Sequence, residues 1–144
     1  MPYPEHLIVG MRQDLVQYGV EETRTAEALD AALAPDSGTV LVVVNSVCGC
    51  AAGKARPAVG MALRAANRPD KAITVFAGAD EDAVDHLRHG KLAAFPASSP
   101  CMALFRNGEP VFMLHRRDIE SRDAITITQV LTEAFDRYCT KTTA

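Results

Sequence analysis

Cys48-Gly49-Cys50 sets two thiols one residue apart, in a chain with four cysteines in all. Thiol-disulfide exchange needs an attacking thiolate and a second sulfur that resolves the mixed disulfide, and this tripeptide supplies both within reach. A bridge between the two would close a small, strained ring, and strain makes a disulfide easier to reduce, so the pair is expected to be oxidising. Gly49 suits such a ring because it tolerates whatever φ and ψ the closure demands. Two other readings of the same residues stay open. Buried cysteines often serve as small apolar fillers. Cys48 and Cys50, joined by Cys101 and Cys139 or by one of His6, His86, His89 and His115, could instead bind zinc, although the usual C-x₂₋₄-C pairing is absent.

What surrounds the tripeptide favours exchange. Thr39 to Val44 is a β-branched, almost wholly apolar run, the pattern of a strand buried on both faces, and it ends at Asn45-Ser46 just before the cysteines. After them, Val59, Ala62, Leu63 and Ala66 carry a helical stripe up to Asn67-Arg68-Pro69, with Pro57 either at N1 or as a local kink. Open α/β sheets place reactive groups at the carboxyl end of a strand. A thiol at a helix N-terminus feels unpaired N–H groups and the positive end of the macrodipole, which favour thiolate. Lys54 and Arg56 in the next turn are expected to push the same way.

The remaining elements follow from periodicity and punctuation. Leu7, Ile8, Met11, Leu15 and Tyr18 predict a helix from about Glu5 to Tyr18, ended by Gly19. Val20 to Thr23 reads as a short edge strand, and Thr25 as the N-cap of a helix through about Leu33. Ile73 to Ala77 reads as a second buried strand closed by Gly78, and Asp80 to about His89 as a charged helix. Phe95 to Pro100 is loop, and Met102 to Arg106 and Glu109 to Leu114 flank the hairpin signal Asn107-Gly108. Ile127, Val130, Leu131, Ala134, Phe135 and Tyr138 predict a last helix between about Asp123 and Lys141. Parallel strands joined by a crossover helix, then an antiparallel hairpin and a terminal helix, make an α/β, three-layer arrangement of the thioredoxin type, with a central mixed sheet flanked by helices.

At 144 residues the chain has the length of one domain that can bury a core without disulfide staples. A net charge of −3 with mixed signs argues against a nucleic-acid surface. The first apolar stretch is broken by Gly10, Arg12, Gln13 and Asp14, so neither a signal peptide nor a membrane span is expected, and a cytoplasmic address follows. In that compartment thiols stay reduced, which favours catalytic or metal roles over a permanent disulfide framework.

The stretch from Leu41 to Gly53, LVVVNSVCGCAAG, resembles the signature of the bacilliredoxins, thioredoxin-like proteins with a CGC motif. Ala55-Arg56-Pro57-Ala58, Thr74-Val75-Phe76-Ala77-Gly78, Ser98-Ser99-Pro100, Met102-Ala103-Leu104 and Ala134-Phe135-Asp136 with Cys139 extend the likeness over nearly the whole chain. The resemblance implies removal of bacillithiol from proteins that carry it as a mixed disulfide, with weaker general reductase or isomerase activity. Cys48 then resembles the attacking cysteine and Cys50 the resolving one. Bacillithiol is the implied co-substrate, no cofactor is bound, and the partners are proteins carrying mixed disulfides. A general isomerase or reductase serving another small thiol is the alternative.

The same resemblance implies that Ser99-Pro100 is a cis peptide facing the cysteine loop, where a substrate backbone can pair. Asn45, Ser99 and Pro100 are expected on the substrate side. Lys54 and Arg56 are expected to hold the carboxylates of bacillithiol's malate. Two positions depart from the pattern: Cys101 stands where a serine is usual, and Arg116-Arg117 where an arginine followed by a histidine is expected. Cys101, if it faced the loop, could serve as a second resolving thiol; Cys139 is the other candidate auxiliary thiol, and otherwise both are structural.

Overall fold

The computed structural model describes residues 3–139. Five strands form one mixed sheet in the order β1-β3-β2-β4-β5. Thr39–Asn45 is β2, buried at every position, as its unbroken apolar run requires. It pairs in parallel with β3 (Lys71–Phe76) and antiparallel with β4 (Cys101–Arg106). The two-residue β1 (Glu21–Glu22) extends the parallel side. On the other edge, β5 (Glu109–Leu114) pairs with β4 across a turn where Asn107 and Gly108 both take positive φ, the conformation that lets a two-residue hairpin follow the strand twist. Pro110, which has no N–H to give to a ladder, sits on this edge strand beside a register shift.

Alternation along β2 divides the core. Leu41 and Val43 face one side with Ala58, Val59, Leu131 and Phe135; Val40, Val42 and Val44 face the other with Leu29, Leu33, Ala83 and Leu87. Helices α1 (Glu5–Val16), α3 (Arg56–Ala62) and α6 (Ala124–Tyr138) contribute to the first side, and α2 (Ala26–Ala32) and α4 (Glu81–His89) to the second. The Thr25 and Asp123 side chains accept from Ala28 N and Thr126 N, capping α2 and α6. The last helix ends at Tyr138 with Cys139 as its C-cap, and residues 140 and 141 of the predicted extension lie outside the described residues.

Three local expectations are revised. In α1 the buried face is Ile8, Arg12 and Leu15, while Leu7 and Tyr18 are exposed. Periodicity of apolar types misses this because Arg12 is taken inside by a two-pronged pairing with Asp80, at 2.9 and 2.7 Å, and lies 5.3 Å over the Phe76 ring. Between the cysteines and α3, Ala51–Ala55 forms a π-helical turn in which Arg56 N–H reaches the Ala51 carbonyl. Pro57 then lies in the first turn of α3. Its ring would crowd a carbonyl four residues back and it donates no bond, so the widened turn is where the chain absorbs it. A short helix α5 (Arg116–Glu120), which no apolar stripe announces, follows β5.

Candidate active site

The loop that carries the thiols is held from below by a buried polar clamp. Asn45, the last residue of β2, is 1% exposed; its Nδ2 donates to Met11 O at 3.1 Å, and its Oδ1 accepts from Ser46 N at 2.9 Å. Arg56, 4% exposed, donates through Nη1 to Asn45 Oδ1 at 3.0 Å and to Ser46 O at 3.1 Å, and through Nε to Asp14 at 3.0 Å. Ser46 Oγ accepts from Cys48 N at 3.2 Å. Cys48 O in turn accepts from Ala51 N and Ala52 N, which starts the helical turn. The sequence of β2, loop and α3 thus fixes where the Cys48 sulfur stands.

Cys48 and Cys50 are free thiols, both half-buried, with their Sγ atoms 2.7 Å apart. Their titrations are driven in opposite directions. The Cys48 thiol is pushed below its ordinary value, first by the hydrogen bond from the Cys50 side chain and then by the Cys50 amide, with the Arg116 charge and the Ala51 amide adding to it. Cys50 is pushed up, first by burial and then because it holds its proton against the Cys48 sulfur. The surroundings therefore favour the thiolate at Cys48 and the protonated thiol at Cys50.

Arg116 completes the site. From α5 its Nη2 donates to Cys48 Sγ at 3.3 Å and its Nη1 to Ser99 O at 3.3 Å, while Nε pairs with Glu120. The Arg116 amide donates to Ser98 Oγ at 3.2 Å. The Ser99-Pro100 peptide is cis, and through Arg116 its carbonyl is tied to the Cys48 sulfur. In the sequence, Arg116-Arg117 registers only as a departure from a pattern. A five-residue helix carries too short a stripe to register as periodicity. Local signals exist all the same: Asp118, whose side chain accepts from His115 N at 2.9 Å, and the i,i+4 pair of Arg116 with Glu120.

Several expected site residues lie elsewhere. Asn45 and Arg56 are buried with their polar atoms engaged in the clamp, so they position the loop and do not face a ligand. Lys54 Nζ donates to Glu120 O at 2.6 Å, tying the π-helical turn to α5, and it is not among the charges that shift Cys48. Cys101 is 5% exposed and points with Ala103 and Phe105 into the core on the α2/α4 side, whereas Cys50 packs on the α3/α6 side. The sheet separates it from the pair, and burial raises its thiol to about 11. Cys139, 7% exposed, closes α6 beside Thr39, at the start of β2. A seven-residue strand spans about 20 Å, so Cys139 is far from the loop. Among the described residues no group of three or more His, Cys, Asp or Glu side chains is placed to hold a metal ion, so the zinc ligand set left open by the sequence is not assembled.

With this geometry in place, comparison with known proteins is specific. The disulphide isomerase family matches residues 3–139. A bacilliredoxin of Koribacter versatilis is 51% identical over 95% of this chain and 94% of its own length. Bacilliredoxins of Salinibacter ruber and Bacillus cereus are 48% and 46% identical, over 97% and 95% of this chain and 82% and 95% of theirs. The chain belongs to the bacilliredoxin family. Among solved structures, an oxidoreductase with a thioredoxin fold superposes with a TM-score of 0.63 at 17% identity, over 81% of this chain and 96% of that one. The thioredoxin of Malassezia sympodialis gives 0.57 at 15% identity, over 84% and 91%. The fold is thioredoxin-like, and this bacilliredoxin is a thiol-disulfide oxidoreductase. No helix among the described residues is long and apolar enough to cross a membrane.

Proposed function

We propose that this bacilliredoxin removes bacillithiol from protein mixed disulfides in the cytoplasm, with Cys48 attacking and Cys50 resolving. The observation that supports this assignment of roles is the setting of Cys48 Sγ, 2.7 Å from Cys50 Sγ and 3.3 Å from Arg116 Nη2, which pushes the Cys48 thiol down while burial pushes Cys50 up. In the first step the Cys48 thiolate attacks the bacillithiol sulfur of the client's mixed disulfide. The old S–S bond breaks, the client sulfur leaves as thiolate and takes a proton from water, and the small thiol is now disulfide-bonded to Cys48. In the second, the Cys50 thiol gives up its proton and attacks Cys48 Sγ, releasing bacillithiol and closing the Cys48–Cys50 disulfide. Alternatively a second bacillithiol, as thiolate, attacks the bacillithiol sulfur of the adduct; the bond to Cys48 breaks, Cys48 returns as thiolate, and the symmetric bacillithiol disulfide is the product. No bound cofactor is called upon.

Intact-mass analysis tests the roles. After exposure to a client bearing a bacillithiol mixed disulfide, Cys50→Ser is expected to accumulate one bacillithiol adduct, Cys48→Ser none, and the wild type a species two hydrogens lighter. Uptake by Cys48→Ser would reverse the assignment. A client left modified by all three proteins would exclude bacillithiol as the substrate thiol and leave general isomerase or reductase chemistry in its place.

A further inference from the structure

Beside the reactive sulfur lies an open cavity of about 340 Å³, lined by Pro96, Ser98, His115, Arg116, Arg117 and Glu120. It is continuous with the site, because Arg116 lines it and also touches Cys48 Sγ. Its charges are lopsided. Glu120 is engaged by Arg116, whereas Arg117 is exposed and makes no ion pair or side-chain hydrogen bond among the described residues. The His115 ring is held at the rim against Phe95, with centroids 6.2 Å apart. Such a pocket carries a planar fork of donors that no described residue engages, and its wall, through Arg116, reaches the sulfur that accepts a small thiol.

We propose that this cavity is the subsite for the carboxylate-bearing part of the low-molecular-weight thiol while that thiol is disulfide-bonded to Cys48, and that Arg117 is its specificity-determining cation. The inference rests on the exchange role of Cys48, and it moves anion recognition from Lys54 and Arg56, which are engaged elsewhere, to the loop and helix after β5. Arg116 has a different task at the border: it contacts the sulfur itself and is already paired with Glu120. The pocket selects thiols that carry carboxylates over neutral or cationic ones. It does so without touching the client protein, whose sulfur departs on the other side of the new disulfide.

The test is Arg117→Gln, which removes a charge that no described residue pairs and leaves the contacts of Arg116, Glu120 and Cys48 in place. One client protein is prepared as mixed disulfides with bacillithiol, with glutathione as a second carboxylate-bearing thiol, and with cysteamine, which has none. The substitution is expected to lower kcat/KM for the bacillithiol client about fivefold, the scale of one exposed charge pair, through KM, and to leave the cysteamine client unchanged. An equal loss with all three clients, or no loss with bacillithiol, overturns the subsite. Wild type that works best on the glutathione client, and loses that rate in Arg117→Gln, keeps the subsite and removes bacillithiol as the preferred thiol. Wild type that favours bacillithiol while Arg117→Gln is unaffected does the reverse.

Discussion

Arg56→Met separates a positioning role from a binding one. The substitution removes the Nη1 bonds to Asn45 Oδ1 and Ser46 O, both in the buried clamp, and leaves the Ser46 carbonyl without that donor. Hydrogen bonds from a charged donor are worth about 1.5 to 3 kcal/mol each when buried, but Asn45 Oδ1 keeps its bond from Ser46 N, so the two together lose roughly 3 to 4 kcal/mol. The ion pair with Asp14 adds only a few tenths, because the Asp14 side chain is 49% exposed and water takes over its solvation. The methionine returns about 1 kcal/mol by refilling apolar volume. A net loss of about 2 to 3 kcal/mol is expected in urea unfolding of the reduced protein at neutral pH, with an unchanged m-value. Because Ser46 Oγ receives the Cys48 amide, loosening the clamp also lets the thiol drift, and single-turnover exchange is expected to slow for every client alike. A loss below about 0.5 kcal/mol, combined with a raised KM for the bacillithiol client alone, would refute this and return Arg56 to the ligand.

The division of labour between the thiols predicts that Cys50→Ala raises the pH at which Cys48 alkylation by iodoacetamide half-saturates, since the largest stabiliser of its thiolate is the Cys50 side chain; an unchanged midpoint would mean that the amides and Arg116 suffice. Cys101 makes an opposite, alkaline prediction. Its folded thiol titrates at about 11, above the ordinary thiol value of about 9, so the unfolded chain releases that proton first. The stability this residue contributes is present below pH 9 and is lost as pH rises through 11. Two units correspond to roughly 2 to 3 kcal/mol. Cys101→Val, similar in size, is expected to flatten the fall in unfolding free energy, read from urea titrations between pH 8 and 11, by about that amount while leaving exchange at pH 7 unchanged; a slower exchange would place Cys101 in the redox path after all.

The pieces of the fold that depend on near neighbours are legible in the sequence alone. The buried run of β2 declares a central strand, Asn107-Gly108 a tight hairpin, and Thr25 and Asp123 helix starts, because each signal is carried by a few adjacent residues whose φ and ψ or hydrogen bonds are local. The Cys48-Gly49-Cys50 chemistry is legible for the same reason: both sulfurs belong to one turn. What the sequence leaves undecided depends on which side of the sheet a side chain meets and on partners far along the chain. Arg12 and Arg56 look like ordinary surface cations until Asp80, 68 residues away from Arg12, and Asn45 with Asp14 draw them inside. Cys101 can be weighed as a third thiol only until the pleat of β4 turns it to the α2/α4 side. Arg116, also 68 residues from Cys48, reaches the sulfur because the hairpin and the Ser99-Pro100 loop bring α5 back over the end of β2. Residue types and spacing determined the reaction, since exchange needs only two sulfurs in one turn; tertiary packing decided which charges and donors surround each thiol and which cations are drawn inside, since charge acts through space.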